Sequence, residues 1–225
     1  MSVLTEAVGW LLDPQNWQGA GGIDTRFVEH VQISALAVGL ASVVAIPLGL
    51  YIGHTKNAEF VVVSISNIGR AVPSFAILAI ALPVTIRLGL GLGFWPTVIA
   101  LFALAIPPVL TNTYVGVKSV DPDQVEAAKA MGMRPAEILR RLELPLASPL
   151  VVAGVRTASV QVVATATLAA LVAWGGLGRF IVDGFAVRDN ARILGGAFLV
   201  AILAISTELA LGGLERIVRP RTSAT

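Results

Sequence analysis

Three charged side chains stand inside long apolar runs, and they are the first candidates for chemistry. Arg70 interrupts residues 60–82, Arg156 falls within 148–174 and Glu208 within 193–214. A charge at membrane depth costs about 2.5–3.5 kcal/mol on insertion scales, so it is retained for a solute path, a proton relay or a structural pair. Arg156 and Glu208 each lie about two turns from the same end of consecutive runs, which favours a structural ion pair over a pore role. Arg70 has no evident partner. It either lines a pore or hydrogen-bonds carbonyls freed by Pro73, whose ring removes a backbone donor. Pro73 and Ser74 are therefore candidate pore or gate positions beside it.

The other reactive types form no constellation. His30 and His54 sit at the ends of apolar runs, far apart, and read as interface residues rather than metal ligands. The chain has no cysteine, which excludes a disulfide framework, a thiolate metal site and a Cys nucleophile. Gly175-Gly176-Leu177-Gly178 lacks the Lys-Ser/Thr and preceding strand of a phosphate loop, and reads as a flexible turn, a hinge for an outer gate. The expectation is a chain with no catalytic residue and no bound metal.

The elements that must position these residues are membrane spans. Hydrophobic residues make up 56% of the chain, charged residues 13%, and the mean hydropathy is +0.81. Soluble domains are about a quarter charged. The basic residues flank apolar runs instead of clustering on a polar face, which argues against nucleic acid as a partner. About 20 apolar residues cross the hydrocarbon layer. Spans are expected over 31–53, 60–82 (kinked at Pro73), 95–117, 148–174 and 193–214, all within an all-α membrane fold that begins near residue 27. Residues 1–26, with Trp10 and Trp17 flanking Leu11-Leu12, read as an interfacial segment or a loosely ordered tail, and not as a secretory signal, since Glu6 and Asp13 interrupt them. Residues 220–225 read as a cytoplasmic tail. One set of connections carries Lys56, Lys118, Lys129, Arg134, Arg140, Arg141, Arg216, Arg219 and Arg221. The other carries Arg26, Arg87, Arg179, Arg188 and Arg192. The bias places the N-terminus outside and the C-terminus in the cytoplasm.

The connection between the third and fourth spans is long and polar, and a long ordered loop is usually functional. Asp121 suits a helix N-cap, Pro122 the first helical position, and Gln124 a reach back to the cap. Gly132 supplies a left-handed end. Pro135 restarts a second helix that stops before Pro145. Alanines keep one face flat, so a second protein can approach closely; the alternative is an amphipathic helix resting on the membrane.

Glu126-Ala127-Ala128, then Gly132 four positions on, then Leu142-Glu143-Leu144-Pro145 resembles the "EAA" loop of bacterial ABC importer permeases. Leu142 stands where that family more often has Ile, a change that packing tolerates. The resemblance covers roughly 27–219. Val72-Pro73-Ser74-Phe75-Ala76, Gly154-Val155-Arg156-Thr157-Ala158 and Ala166-Thr167-Leu168-Ala169-Ala170 are similar to the branch serving quaternary-amine osmoprotectants: glycine betaine, carnitine, choline and proline betaine. Arg70 departs from that branch, where an uncharged residue is more usual.

The resemblance implies a type I ABC importer permease fold of about five transmembrane helices with a cytoplasmic two-helix coupling loop. Glu126, Ala127, Ala128, Gly132, Leu142, Leu144 and Pro145 would dock an ATPase. It implies a multi-pass protein of the bacterial inner membrane, working by alternating access. Its partners would be two ATP-binding-cassette ATPase subunits, a second permease (identical or related), an extracytoplasmic solute-binding protein and membrane lipid. With no nucleotide-binding motif of its own, the chain would bind no cofactor; ATP and Mg would sit on the ATPase. Another small solute, such as methionine or a sulfonate, is the alternative cargo. An ion-coupled secondary carrier is a remote alternative, since five spans do not divide into repeats and only one carboxylate lies in a span.

Overall fold

The computed structural model describes residues 2–218. The expected tail at 220–225, Arg219 and Arg221 of the charge bias, and the side chain of Arg70 lie outside the described residues. Ten α-helices follow one another: α1 Val3–Leu12, α2 Ile23–Thr55, α3 Glu59–Ala71, α4 Ser74–Arg87, α5 Phe94–Lys118, α6 Pro122–Ala130, α7 Pro135–Ile138, α8 Leu144–Thr165, α9 Gly178–Val187 and α10 Asn190–Val218. A π-helical turn, Leu139–Glu143, joins α7 to α8, and a 3₁₀ stretch, Ala166–Val172, extends α8.

The centre is α2, α5 and α8. Small residues recur every fourth position along α2, at Ala37, Ala41, Ala45, Gly49 and Gly53, and all are buried. That spacing makes one ridge with little height. A Cβ on Gly49 would lie 2.8 Å from the Thr113 Cβ, and one on Gly53 2.7 Å from the Val117 Cβ, so larger residues would push α5 away. Ala105, Val109 and Leu110 of α5 and Ala158 and Val162 of α8 complete the seam. Lipid tails are as apolar as these side chains, so close packing rather than water exclusion holds the three together.

Four helical stretches are long and apolar enough to cross a membrane: Ile23–Thr55, Phe94–Lys118, Pro135–Val172 and Asn190–Val218. The second expected span departs from the reading as a single kinked helix. It is two helices, Glu59–Gly69 and Ser74–Arg87, bent by 92°. Val72 and Pro73 are both extended. A proline disfavours helical backbone at the residue before it, so the helix ends and restarts.

The loop's second helix is also a correction, because it does not stop before Pro145. It runs through the π turn into α8 as part of one 38-residue stretch. Pro145 has no N–H for the Arg141 carbonyl, and its ring crowds that carbonyl. The wider turn relieves this conflict: the Leu144 N–H bonds the Leu139 carbonyl, five residues back.

Helix α1 packs along α10. Its Ala7 is buried, and the Trp10 ring meets Phe180 edge-on at 5.1 Å. The segment 1–26 is thus docked helix up to Leu12, and α2 already begins at Ile23. Helix α9 lies in a stretch where no helix was expected.

Candidate functional site

The loop between α5 and α8 is built locally. The Asp121 carboxylate accepts from the Asp123 N–H at 2.9 Å, capping α6 with Pro122 at its first position. Gln124 does not reach back as expected; its backbone N–H bonds the Asp121 carbonyl. Gly132 has φ +81°. Its N–H bonds the Lys129 carbonyl and the Met133 N–H bonds the Ala128 carbonyl, the pattern of a Schellman end. On α7, the Glu137 carboxylate accepts from the Arg134 N–H at 3.0 Å. Ala128 and Ile138 are buried, whereas Glu126, Ala127, Met131 and Gly132 face outward at the corner. Leu142 and Leu144 are half-buried and Pro145 is exposed.

What seats this corner on the bundle was not expected. Glu143, within the π turn, is buried, and its Oε2 lies 2.5 Å from Nδ1 of His54 in the last turn of α2. Lys118, ending α5, donates to Glu59 at 2.9 Å and to the Tyr114 hydroxyl at 2.8 Å. These contacts frame a cavity of about 260 Å³ behind the corner, lined by His54, Lys56, Lys118, Glu126, Lys129 and Glu143 among others. The available signal was an acid inside the apolar run 142–146 and a histidine at a helix end.

Arg156 meets two acids. Its Nε lies 3.6 Å from Glu208 Oε1 and its Nη1 3.0 Å from Glu215 Oε2, the second an ionic contact without hydrogen-bond alignment. Glu208 and Glu215 are two turns apart on α10, a seven-residue spacing that places both on one face.

At the other end of the bundle, the glycine turn is pinned. The Gly176 N–H donates to Glu29 at 2.8 Å and the Leu177 N–H to His30 Nδ1 at 3.2 Å, while His30 Nε2 lies 2.9 Å from the Val163 carbonyl. His30 is fully buried, so it is no interface residue, and its two bonds require the neutral tautomer protonated at Nε2. A Cβ on Gly175 would fall 1.9 Å from the Glu29 carboxylate.

Pro73 and Ser74 mark the break between α3 and α4, with Pro73 exposed and Ser74 half-buried. Beside the break, α3, α5 and α8 enclose a cavity of about 440 Å³. Its polar lining among the described residues comes from Ser66, Thr111, Asn112, Thr157 and Gln161, none of them expected as a pore residue. Ser66, Thr111, Asn112 and Thr157 each stand beside another polar residue, and an uncharged polar side chain is a weak signal by itself.

Comparison with known proteins matches these features to one group. A family model described as "binding-protein-dependent transport system inner membrane component" matches residues 45–224. The choline transport system permease protein OpuBB of Bacillus subtilis (strain 168) is 41% identical over 192 residues, 85% of this chain and 86% of that protein. The glycine betaine/carnitine/choline transport system permease protein OpuCB of the same organism is 40% identical over 193 residues, 86% of this chain and 87% of that protein. A solved structure of the MetNI methionine ABC transporter, inward facing, superposes with a TM-score of 0.78 at 22% identity, covering 88% of this chain and 96% of that chain. At that identity the likeness concerns the fold.

Proposed function

The chain belongs to the family of binding-protein-dependent transport system inner membrane components and is the permease subunit of an ABC-type importer, and from that premise we propose that its cargo is a quaternary-amine osmoprotectant such as glycine betaine, carnitine, choline or proline betaine. The observation that carries the cargo is the pair of relatives at 41% and 40% identity over most of their length, both named for such solutes. A methionine cargo has support from fold alone.

The corner from Glu126 to Gly132, with Leu142, Leu144 and Pro145 behind it, is the docking element for an ATP-binding-cassette ATPase. Its exposed, small-residue face fits close approach by another protein, and the His54–Glu143 contact carries displacement of the corner into α2. A second permease, identical or related, completes the path, and an extracytoplasmic binding protein delivers the solute. ATP and Mg sit on the ATPase. The N-terminus lies outside and the loop inside.

The test is uptake of labelled glycine betaine, carnitine, choline, proline betaine, methionine and taurine. It is run in a bacterium lacking its own osmoprotectant importers, expressing this chain with the ATPase, the binding protein and any second permease encoded beside it. Import of the quaternary amines, lost on omitting the chain, is the expected result. Import of methionine or taurine alone would replace the cargo.

A further inference from the structure

The glycine turn between the 3₁₀ stretch and α9 touches the ends of two further helices. On one side Glu29 and His30 of α2 accept from the Gly176 and Leu177 N–H groups. The same Glu29 Oε2 takes the Arg26 guanidinium at 2.9 Å, and the same His30 ring donates to the Val163 carbonyl of α8. On the other side the Trp174 ring lies 5.0 Å from the ring of Phe94, the first residue of α5. A Cβ on Gly93 would fall 3.2 Å from the Trp174 backbone nitrogen. The turn is thus wedged between the ends of α2 and α5 that lie away from the coupling corner.

The wedge is tight, but few bonds hold it. Its backbone is left-handed at Ala173, φ +64°, and at Gly176, φ +85°; the first is a strained arrangement for a residue with a Cβ. Two hydrogen bonds from the turn's N–H groups tie it to α2, and each has a small net worth once another acceptor takes its place. The indole N–H of Trp174 is buried and has no acceptor among the described residues. A buried donor left unsatisfied is costly and uncommon, and it marks a segment not fully satisfied in this one arrangement. The helical stretch that starts in the coupling loop, Pro135–Val172, ends at the residue before the turn. Displacement of the corner therefore arrives where these few bonds are.

We propose that Glu29 and His30 form a latch holding the outer ends of α2, α5 and α8 together, and that its release is the step by which the bundle opens outward. His30 is a positioning residue: its Nε2–H anchors on Val163, so that Nδ1 stays aimed at Leu177. On release, Arg26 remains as the partner of Glu29, while the Gly176 and Leu177 N–H groups pass to water. Strain at Ala173 and the unmet Trp174 donor lower the cost of leaving the closed arrangement. The inference rests on the reading of the chain as an ATP-coupled importer subunit with this end outside, and it adds the residues that keep that end shut.

The test uses proteoliposomes holding this chain, its ATPase, its binding protein and any second permease. Without binding protein, Glu29→Ala and His30→Ala should each raise ATP hydrolysis per assembled complex about fivefold, the change in an equilibrium expected for losing one hydrogen bond. Glu29→Gln, which keeps an acceptor for Gly176, should raise it less. Damage to the fold lowers hydrolysis and cannot raise it; should His30→Ala fail to assemble, Glu29→Ala decides. A second arm closes the latch covalently. A Cβ on Gly176 would lie 3.5 Å from that of His30, within the spacing of about 3.5–4.5 Å that a disulfide needs, and the chain has no cysteine of its own. In His30→Cys with Gly176→Cys, oxidation should stop import of labelled glycine betaine and dithiothreitol should restore it, while either single variant ignores the oxidant. Failure of the bond to form, import by the cross-linked complex at the rate of the reduced one, or hydrolysis that stays level in Glu29→Ala overturns the latch. A wild-type complex that hydrolyses ATP in response to the binding protein yet imports no glycine betaine overturns the cargo reading, and the hydrolysis arm still decides the latch. Hydrolysis that ignores the binding protein in wild type overturns the assembly on which the latch depends.

Discussion

Glu143 is an acid with 7% of its side chain exposed, held against His54 at 2.5 Å. Removing one member of a buried hydrogen-bonded pair leaves the other's polar group unsatisfied, which costs more than removing both. His54→Ala is therefore expected to lower the amount of inserted permease, and His54→Ala with Glu143→Leu to recover part of it, as read by quantitative immunoblot of membranes. A double variant no better than the sum of the singles would sink the pairing. Arg156 behaves differently because it has two acid partners. Glu208→Ala should leave permease levels near wild type, since Glu215 remains 3.0 Å from the guanidinium, whereas Arg156→Ala strips both contacts and should lower them. Equal loss in the two variants would count against sharing. Arg156 and Glu208 could be read as partners from depth alone. Glu215 could not, because its place beyond the last apolar turn hides it among ordinary terminal charges. Glu143 was hidden for another reason: its partner lies 89 residues away, and no periodicity records that distance.

At the level of elements, the loop was legible wherever its signals are local. The Asp121 cap, Pro122, Gly132 and Pro135 act within one turn of themselves, and each occupies the position its chemistry dictates. What failed was the stop before Pro145, because a π turn absorbs a proline that an α-helical register rejects. Gly132 yields a graded prediction. A Cβ there would meet nothing within 4 Å, so only φ +81° resists substitution. Gly132→Asn, tolerated in left-handed backbone, should keep most import. Gly132→Val, facing a conformational cost of roughly 1–2 kcal/mol or more, should insert normally yet raise the ATP hydrolysed per solute imported. Import and the ATP hydrolysed per solute are measured in proteoliposomes with the ATPase, the binding protein and any second permease. Normal coupling in Gly132→Val would remove the corner from the coupling path.

For the molecule as a whole, four of the five expected spans followed from hydropathy because a membrane demands uninterrupted apolar length. The same rule misled at 60–82, where enough apolar residues are present but Pro73 divides them into two directions. The charge bias predicts orientation. A single cysteine at Gln124 is expected to resist a membrane-impermeant thiol reagent in intact cells and to react after permeabilisation; labelling in intact cells would reverse the topology. The continuous helix from Pro135 to Val172 adds a mechanical consequence. At about 1.5 Å per residue its 38 residues span a little under 60 Å, so it behaves as a lever with one arm in the loop and the other beside the turn clamped by Glu29 and His30. A tilt of about 5° around its midpoint moves each end by roughly 2.5 Å at that length. A push on the loop is thus reproduced in equal measure at the far end, where Gly178 lies so close to the Thr167 backbone that a Cβ on it would fall 2.2 Å from the Thr167 carbonyl oxygen.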